Sequence, residues 1–389
     1  MNARIYADHA ATTPLRPEVL EAMLPYLSDG FNPSSVHQEG RRARRVLDDA
    51  RAAIARLLGA QPREIIFTSG GSESDNLAIF GIAQTLRDRG RRIVTSPLEH
   101  HAVLHATDRL REEGWEIVTL PVDENGAIDR NDFARALTGE TALVTLMLAN
   151  NEIGAIAPIA ELAAVAHERG VHFHTDAVQV PAYSRIDVEE LGVDALSISA
   201  HKFYGPKGIG ALYLRSGTPL RSQLVGGSQE LAKRAGTENV AAIAGMAKAL
   251  VLADQERVEL GERLSRLRDR FEQSVTRHVP EVTVNGARAT RLPHISNLSF
   301  ANADADALVV RLDLDGIAVS SGSACAAGAA EPSHVISALY KDDRARRGGV
   351  RFSFGRSTND ADIERLTEIV TIAVRDLREA SVDRPAGVI

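Results

Sequence analysis

The feature that most constrains the fold is a repeated alternation of short apolar runs with helical patterns. The apolar runs are EIIFTS, RRIVTS, WEIVTL, ALVTLMLA, VHFHTDA, ALSISA and IGALYL. Apolar residues at helical spacing occupy 41–58, 74–89, 101–113 and 159–169. Runs of this length between helices are typical of buried strands in a mostly parallel sheet. The sequence therefore predicts an α/β protein with a seven-stranded, mostly parallel sheet.

The chain length predicts a second, smaller domain. At 389 residues the chain is too long for one ordinary hydrophobic core. Residues from about 239 to 278 form a long charged helical pattern that would lead out of the large domain. Beyond it, HISNLSF, DALVVRLDLDGIAVSSGSAC and GGVRFSFG predict strands with a helix between the first two, and the tail is helical to about Ala380. We expect a large domain over 15–255 and a smaller α+β domain formed by 1–14 and 256–389.

Charge and cysteine content limit the functional classes. The net charge of -7 argues against a nucleic-acid-binding surface. The one cysteine, Cys325, excludes an intrachain disulfide framework and a cysteine-based zinc site, and it fits a reducing cytoplasm. The N-terminus has no apolar signal region, and no apolar run approaches the ~20 residues of a membrane span. We therefore expect a cytoplasmic protein without a metal site, a membrane anchor or direct contact with nucleic acid.

Polar residues follow several of the predicted strands, and ligands of open α/β sheets bind beyond the carboxyl ends of strands. Residues 68–76, TSGGSESDN, follow EIIF and open a predicted helix. Glycines and hydroxyls at a helix N-terminus can hold a phosphate, since bare N–H groups and the helix dipole favour an anion. An ordinary helix cap is the alternative for this segment by itself.

Two further strand ends carry an acid and a lysine. Asp176 follows VHFHT and can keep a pyridine nitrogen protonated, although a carboxylate at a strand end can also be structural. Lys202 follows ALSIS, where an unpaired ammonium would be expensive to bury. An imine with an aldehyde removes that charge.

Asn151 and a histidine complete the set. Asn151 follows ALVTLMLA and could bond a ring hydroxyl, while His100 or His101 could stack on a flat ring. A lone histidine is more often a surface or structural residue. Together, an anchor lysine, a pyridinium acid, a phosphate cup and a stacking ring predict a site for pyridoxal 5'-phosphate.

The sequence resembles the cysteine desulfurases of the NifS/IscS-like group, in class V of the fold-type I pyridoxal-phosphate enzymes. The resemblance covers nearly the whole chain. It is carried by DHAATTP (8–14), NPSSVH (32–37), FTSGGSESDN (67–76), LEHHAV (98–103), NNEIGAIAPI (150–159), HTDAVQ (174–179), SISAHKFYGPKGIGALY (197–213), GGSQE (226–230), RAGTENV (234–240), SSGSACAAGAAEPSH (320–334) and VRFSFGRST (350–358).

The resemblance implies a role for each cofactor-site residue. Lys202 would bind the cofactor covalently, Asp176 would bind the ring nitrogen, and His100 would stack on the ring and take part in proton transfer. The ring oxygen would be bonded by Gln179 and Asn151. The phosphate would be held by Gly71, Ser72, Ser199 and His201, with Thr237 reaching it from the neighbouring subunit. The resemblance therefore implies a homodimer with shared active sites.

The resemblance also implies the substrate, L-cysteine, and its binding residues. Arg351 would take the substrate carboxylate, for which a bidentate guanidinium is suited. Asn151 would lie near the substrate, and Asn32 lies in the family's substrate-side loop. Cys325 would be the catalytic nucleophile that takes the sulfur as a persulfide. An acceptor protein such as an iron–sulfur scaffold would receive it, and a role in tRNA thiolation is also consistent.

The flanks of Cys325 favour a reactive thiol. The sequence SSGSACAAGAAEP is small and polar, which predicts a mobile loop able to carry sulfur to a partner. A buried, inert cysteine is the ordinary alternative. A flexible loop of this composition packs poorly, and the chain has no second thiol to serve instead.

Two other functions remain open. Another class V enzyme, such as an aminotransferase, a kynureninase-like hydrolase or a selenocysteine lyase, could share Lys202 and Asp176 without needing Cys325. A catalytically silent homologue could act as a binding or scaffold protein. The joint presence of Lys202, Asp176, His100, Arg351 and Cys325 argues against the silent homologue.

Overall fold

The computed structural model describes residues 4–29, 31–322, 333–346 and 348–382. The strands along the chain are β1 (Ile5–Tyr6), β2 (Ile65–Thr68), β3 (Arg92–Thr95), β4 (Glu116–Thr119), β5 (Thr141–Thr145), β6 (His172–Asp176), β7 (Ala195–Ser199), β8 (Gly210–Leu214), β9 (Val282–Val284), β10 (Ile295–Phe300), β11 (Ile317–Ala318), β12 (Ser320–Ser321) and β13 (Val350–Ser353). The helices are α1 (Pro17–Ser28), α2 (Gln38–Leu58), α3 (Gly71–Leu86), α4 (His101–Glu112), α5 (Arg130–Ala136), α6 (Ile159–Glu168), α7 (Val188–Leu191), α8 (Val240–His278), α9 (Ala305–Leu314), α10 (His334–Leu339) and α11 (Asp360–Val382).

The central sheet has seven strands in the spatial order β2-β8-β7-β6-β5-β3-β4. Pairs among β3 to β7 are parallel, whereas β8 runs antiparallel to both β2 and β7. The link from β7 to β8 is too short for the crossover that a parallel neighbour needs, so β8 reverses direction. The predicted α/β class and mostly parallel seven-stranded sheet are confirmed.

One predicted buried strand is only partly buried. β4, the WEIVTL run, has exposed residues at both ends and half-buried residues between them. Its one ladder partner is β3, because β4 lies at the edge of the sheet. By contrast, β2, β5, β7 and β8 are buried along their whole length. A short apolar pattern does not reveal which strand will be at the edge.

The helix predicted over 41–58 begins earlier, at Gln38, and ends where the sequence indicated. Its N-cap, His37, accepts a bond from the Gly40 amide. Gly59 adopts a left-handed conformation with φ of 71° as the C-cap. Glycine adopts this conformation without the steric cost that a side chain incurs.

The long helix α8 spans 39 residues and passes through the predicted domain boundary at 255. Its first half packs on α1 and α2, and its second half packs against α11 and the β9–β10 hairpin. In that second half, Phe271 contacts the rings of Phe352 and Phe354, with centroids 4.8 and 5.7 Å apart. The helix is therefore continuous between the two regions, and their division into separate domains remains a prediction.

The C-terminal region contains a four-stranded antiparallel sheet, β12-β13-β10-β9. The first strand, β1, pairs in parallel with β11, so the N-terminus lies beside this region. β13 carries Arg351, and β12 leads into the residues that contain Cys325. Cys325 itself lies outside the described residues.

A buried ion pair joins α2 to the segment that follows β8. Arg51 bonds both carboxylate oxygens of Glu230 at 2.7 and 2.8 Å, and the Phe67 amide on β2 donates to Glu230 at 2.8 Å. Glu230, Leu231 and Ala232 all have left-handed φ values of 45°, 59° and 58°. Such values are unfavourable for residues with a Cβ, so the ion pair compensates for local strain.

We expect Glu230→Gln to lower the free energy of unfolding by about 3 kcal/mol, because it leaves the buried Arg51 charge without a carboxylate. Urea denaturation followed by circular dichroism would measure this loss. The matched control is Glu113→Gln, in the exposed pair with Arg109, where we expect a change below about 1 kcal/mol. Equal losses in the two variants would contradict the assigned importance of the buried pair.

Candidate active site

A cavity of about 210 Å³ opens at the carboxyl ends of the central strands. It is lined by Ala10, Ala11, Gly71, Ser72, Asp75, His100, Met147, Ala149, Asn151, Asp176, Val178, Gln179, Ser199, His201, Lys202 and Arg351. The structure thus brings together almost all of the predicted cofactor and substrate residues. The exceptions are Asn32 and Thr237, which do not line this cavity, and Cys325, which lies outside the described residues.

Lys202 lies on a single 3-10 turn, Ala200–Lys202, directly after β7. Its Nζ donates to the carbonyl oxygens of Ala10 and Ala11 at 2.5 and 2.9 Å. The N-terminal segment therefore passes the carboxyl end of β7 and forms part of the cavity wall. These two bonds hold the amine at the cavity.

Asp176 is the last residue of β6 and is 7% exposed. Its Oδ1 accepts a bond from the Val178 amide at 2.9 Å. Burial raises the pKa of Asp176 to about 6, while the Val178 bond and the positive charge of Lys202 oppose the rise. A cation beside this carboxyl would favour its ionised form. A protonated pyridine nitrogen is such a partner.

The N-terminus of α3 has the shape of an anion cradle. Gly70 caps the helix with φ of 153°, a conformation that strongly favours glycine. A Cβ on Gly71 would come within 2.8 Å of Val178 Cγ2, so a side chain there would fill the cradle. Ser72 and Ser199 provide hydroxyls at the same cavity. The positive end of the helix dipole and these donors fit a phosphate.

His100 rather than His101 faces the cavity. His100 is the N-cap of α4, and its Nδ1 accepts from the Ala102 amide at 3.1 Å. This bond places the proton of the neutral ring on Nε2. Burial, followed by the charge of Lys202 and the neighbouring histidines, lowers the pKa of His100 to about 4. The ring is therefore neutral at physiological pH and suited to stacking on a flat cofactor.

Gln179 and His201 are held in place by the N-terminal segment. Gln179 donates through Nε2 to the Ala10 carbonyl at 3.0 Å, which orients the amide at the cavity. His201 Nδ1 lies 3.1 Å from Thr12 Oγ1. Burial and the charge of Lys202 lower the pKa of His201 to about 4, so it is also neutral.

Arg351 on β13 is 1% exposed and carries the positive charge expected for a carboxylate site. Its Nη1 donates to the Asn151 carbonyl at 2.9 Å, and its Nη2 donates to Asp8 Oδ1 at 2.8 Å. The Nε atom is buried without a hydrogen-bond partner among the described residues. Asp8 was not predicted as a site residue, although the DHAATTP motif contains it. The sequence gives no sign that residues 8 and 351 would meet.

Sequence analysis also missed two further buried acids, Asp75, which lines the cavity, and Glu99, which does not. Glu99 is buried beside His100, and burial raises its pKa to about 8. Asp75 lies on α3, and its pKa is raised by burial and by the nearby Asp176. His174 is close to Asp75, at 3.6 Å. Glu99 lies in the turn before α4 and Asp75 lies on α3, and acids in either position usually face water, so only the packing reveals that these two are buried.

Thr237 and Asn32 lie elsewhere. Thr237 is exposed and lines a separate cavity with Ser69, Arg234 and Glu238. Asn32 is exposed, and its Oδ1 accepts from the Ser34 amide at 2.9 Å in a local turn. Within one chain, neither residue contributes to the main cavity.

The residues at the cavity fit pyridoxal phosphate. The lysine can bind an aldehyde, the buried acid suits a pyridinium, the glycine cradle suits a phosphate, and the neutral histidine suits a ring face. The fold and the site thus define a pyridoxal-phosphate enzyme with an α/β large sheet.

Comparisons with known proteins agree with this class. The family model "Aminotransferase class-V" matches residues 5–366. A "Cysteine desulfurase IscS" from Dictyoglomus turgidum is 49% identical over 382 residues, which cover 98% of this chain and 97% of that relative. A solved "NIFS-LIKE PROTEIN" superposes with a TM-score of 0.90 at 32% identity, covering 96% of this chain and 100% of that one. A structure titled "SspA in complex with cysteine" has a TM-score of 0.78 at 36% identity, covering 90% and 98%.

The chain belongs to the class V aminotransferase family and, within it, to the cysteine desulfurases, which are pyridoxal-phosphate-dependent sulfurtransferases. The predicted family and cofactor are confirmed. The roles of individual site residues remain predictions.

Lys202→Ala should abolish covalent attachment of the cofactor, because the amine is removed while the cavity is kept. We expect the variant to lack the visible absorption band and to retain no cofactor after borohydride reduction. The matched control is Lys207→Ala, an exposed lysine five residues further along, which should be as yellow as the wild type. Cofactor fixed by borohydride on the Lys202 variant would contradict the assignment.

Glu99→Gln should stabilise the protein more as the pH rises. The native carboxyl stays protonated to about pH 8, against an ordinary pKa of 4.5. Between these two pKa values, unfolding therefore releases a proton from Glu99. This group lowers the free energy of unfolding of the wild type by about 1.4 kcal/mol for each pH unit in this range. The glutamine can still accept the bonds that Ser96 Oγ and the Met147 amide give to Oε1.

Chemical denaturation of the wild type and the variant at pH 5.5 and 7.5 would measure this effect. The difference in unfolding free energy should be larger at pH 7.5. An exposed substitution, Glu112→Gln, provides the control and should show no such trend. A difference that stays constant with pH would mean that Glu99 ionises normally in the folded protein.

Proposed function

We propose that this chain removes sulfur from L-cysteine, releases L-alanine and leaves a persulfide on Cys325. The observation that carries the proposal is the convergence of Lys202, Asp176, His100 and Arg351 on one cavity. Family membership supports the desulfurase reaction, and the chain has one cysteine to act as the nucleophile. The sulfur then passes to an acceptor protein for iron–sulfur cluster assembly, and tRNA thiolation is a further outlet.

Substrate binding rests on Arg351 and Asn151. The guanidinium is buried, so a substrate carboxylate would meet it in a medium that screens charge weakly. The Asn151 carbonyl and Asp8 already orient the guanidinium. The related protein solved "in complex with cysteine" supports cysteine as the ligand of this site.

The other cavity residues control protons. When bound, pyridoxal phosphate withdraws electrons from the substrate α-carbon. Asp176 would keep a proton at the ring nitrogen, which would make that withdrawal effective. His100 holds its own proton at Nε2 because Nδ1 is bonded to the Ala102 amide. The Lys202 amine and the His100 ring both line the cavity, and each could exchange a proton with a bound substrate.

Transfer of the substrate sulfur to Cys325 needs no external oxidant. The Cys325 thiolate attacks the substrate sulfur, an S–S bond forms, and the substrate C–S bond breaks. The electron pair of that bond remains with the substrate β-carbon, which gains a proton to become the methyl group of alanine. The sulfur is oxidised to the persulfide level while the carbon is reduced. Thiolate character, and therefore a local positive potential, favours the attack.

The working protein is proposed to be a cytoplasmic homodimer with shared sites. Thr237 is exposed outside the main cavity of its own chain, which is consistent with a role at a partner's phosphate site. Leu224 and Val225 in the preceding segment are 49% and 82% exposed, so this region offers apolar surface to a second copy. Across the residues that the structure describes, no helix has the length and apolar character needed to cross a bilayer.

The deciding experiment uses Cys325→Ala. We expect the variant to bind cofactor and show its absorption band, but to produce neither alanine nor sulfide from L-cysteine. Loss of activity of at least about a thousandfold is expected, as for other essential nucleophiles. Absorption spectra and assays of both products, with and without a thiol reductant, would measure these outcomes.

A yellow variant that turns over cysteine normally would disprove the persulfide mechanism and favour another class V reaction. A colourless wild type that cannot be reconstituted with pyridoxal phosphate would instead favour a binding or scaffold protein.

A further inference from the structure

The carboxyl group of Glu152 is buried between the active site and the two ends of the segment that contains Cys325. Glu152 follows Asn151 directly and has 0% exposure. Gly322 and Ser333 are the described residues on either side of residues 323–332. We propose that Glu152 is a positioning residue that fixes the base of the Cys325 segment against the active site. This inference rests on the proposed role of Cys325 in sulfur transfer.

Both ends of the segment meet at this carboxyl group. Ser333 Oγ donates to Glu152 Oε2 at 2.5 Å. A Cβ on Gly322 would lie 3.5 Å from the same oxygen and 3.2 Å from Ser333 Cβ. Gly322 has φ of 65°, and its amide donates to the Gly349 carbonyl at 3.2 Å. The chain therefore leaves and returns at nearly the same point.

Glu152 itself is fixed firmly. Asn150 Oδ1 accepts bonds from the amides of Glu152 and Ile153, both at 2.9 Å. Asn297 on β10 donates to the Glu152 carbonyl at 3.2 Å. The backbone of Glu152 is thus held at both its amide and its carbonyl group.

Ser333 connects Glu152 to the N-terminus of α10. Its Oγ accepts from the amides of Val335 and Ile336 at 3.1 and 3.3 Å as the helix N-cap, while its hydrogen is donated to Glu152. α10 and its C-cap residue, Tyr340, pack into a buried cluster with Leu98, Met147 and Ile153, to which the helix contributes Val335, Ile336 and Leu339. Met147 lines the main cavity. The base of the segment is consequently attached to the cavity wall.

The position of this base matters for sulfur transfer because Cys325 is only a few residues away along the chain. Cys325 is three residues after Gly322 and eight residues before Ser333. Three residues reach at most about 11 Å, so a displacement of the base changes which points the thiol can reach. Reacting atoms must come within about 3.5 Å of each other, and a small misplacement can reduce the rate strongly.

The test removes the Ser333–Glu152 bond and then restores it with the donor and acceptor exchanged. Ser333→Asp keeps an N-cap acceptor for α10 but has no hydrogen to donate and places a second carboxylate beside Glu152. We expect kcat for alanine release to fall about tenfold, with unchanged KM for cysteine and unchanged cofactor absorbance. The double variant S333D/E152Q should recover most of kcat, because the glutamine amide can donate to the new carboxylate.

Two other variants separate this contact from general damage. Glu152→Ala removes the acceptor while leaving the Ser333 cap intact, and it should reproduce the loss in kcat even if S333D folds poorly. Ser337→Asp places the same charge on an exposed position of α10 and should leave kcat unchanged.

A second measurement does not depend on turnover. Cys325 is the one thiol of the chain, so iodoacetamide labelling of the cofactor-free protein reports on it alone. We expect labelling to be about threefold faster in S333D and E152A, because Gly322 and Ser333 are then less firmly held beside Glu152, and to return toward the wild-type rate in the double variant.

Wild-type kcat and labelling rates in both S333D and E152A would overturn the inference. A raised KM with unchanged kcat would also overturn it, since Glu152 would then act through substrate binding at Asn151 or Arg351. An active Cys325→Ala would disprove the proposed function instead. The labelling rates would then still decide whether Glu152 and Ser333 fix the segment.

Discussion

The structure depends on the parallel alignment of β5, β6 and β7 in the middle of the central sheet. Parallel neighbouring strands have their carboxyl ends on the same side of the sheet. The residues that follow these strands therefore meet in space although they are far apart in the chain. Asn151, Asp176 and Lys202 reach the cavity in this way. The N-terminal segment then closes the cavity, because the carbonyls of Ala10 and Ala11 accept the bonds of Lys202.

Burial sets the electrostatic character of the site. It raises the pKa of Asp176 to about 6 and lowers that of His100 to about 4, so both groups move toward their neutral forms. Lys202 and Arg351 provide positive charge at the same cavity. Such a site favours an anionic ligand with a group that can share a proton with Asp176. A phosphorylated pyridine cofactor and an amino-acid carboxylate meet both requirements.

The C-terminal region contributes to the site rather than being attached beside it. β13 places Arg351 at the cavity, where its guanidinium donates to the Asn151 carbonyl. Glu152, the residue after Asn151, accepts a bond from Ser333 at one end of the segment that contains Cys325. Because Asn151 and Glu152 are consecutive, the proposed substrate-binding site adjoins the base of the segment that contains Cys325. The Asn150 side chain orders this turn, because its Oδ1 accepts bonds from the amides of Glu152 and Ile153.

The sequence by itself determined the fold class, the cofactor and most of the cavity residues. Apolar periodicity records which residues are buried in strands, and polar residues at strand ends must lie at the edge of a parallel sheet. Lys202, Asp176 and the glycine cradle were accessible to this argument, because each stands next to a strand in the chain. The same pattern could not show that β4 lies at the sheet edge, since edge and central strands differ in neighbours rather than in local sequence.

Only the tertiary structure decided contacts between distant parts of the chain. The pairing of Asp8 with Arg351, the inward position of Glu99 and the bond from Ser333 to Glu152 depend on packing between elements. It also selected His100 over His101, because the cap of α4 fixes which ring faces the cavity. Local patterns carry information about burial and turn geometry, whereas the partner of a buried polar group is fixed only when the whole chain has packed.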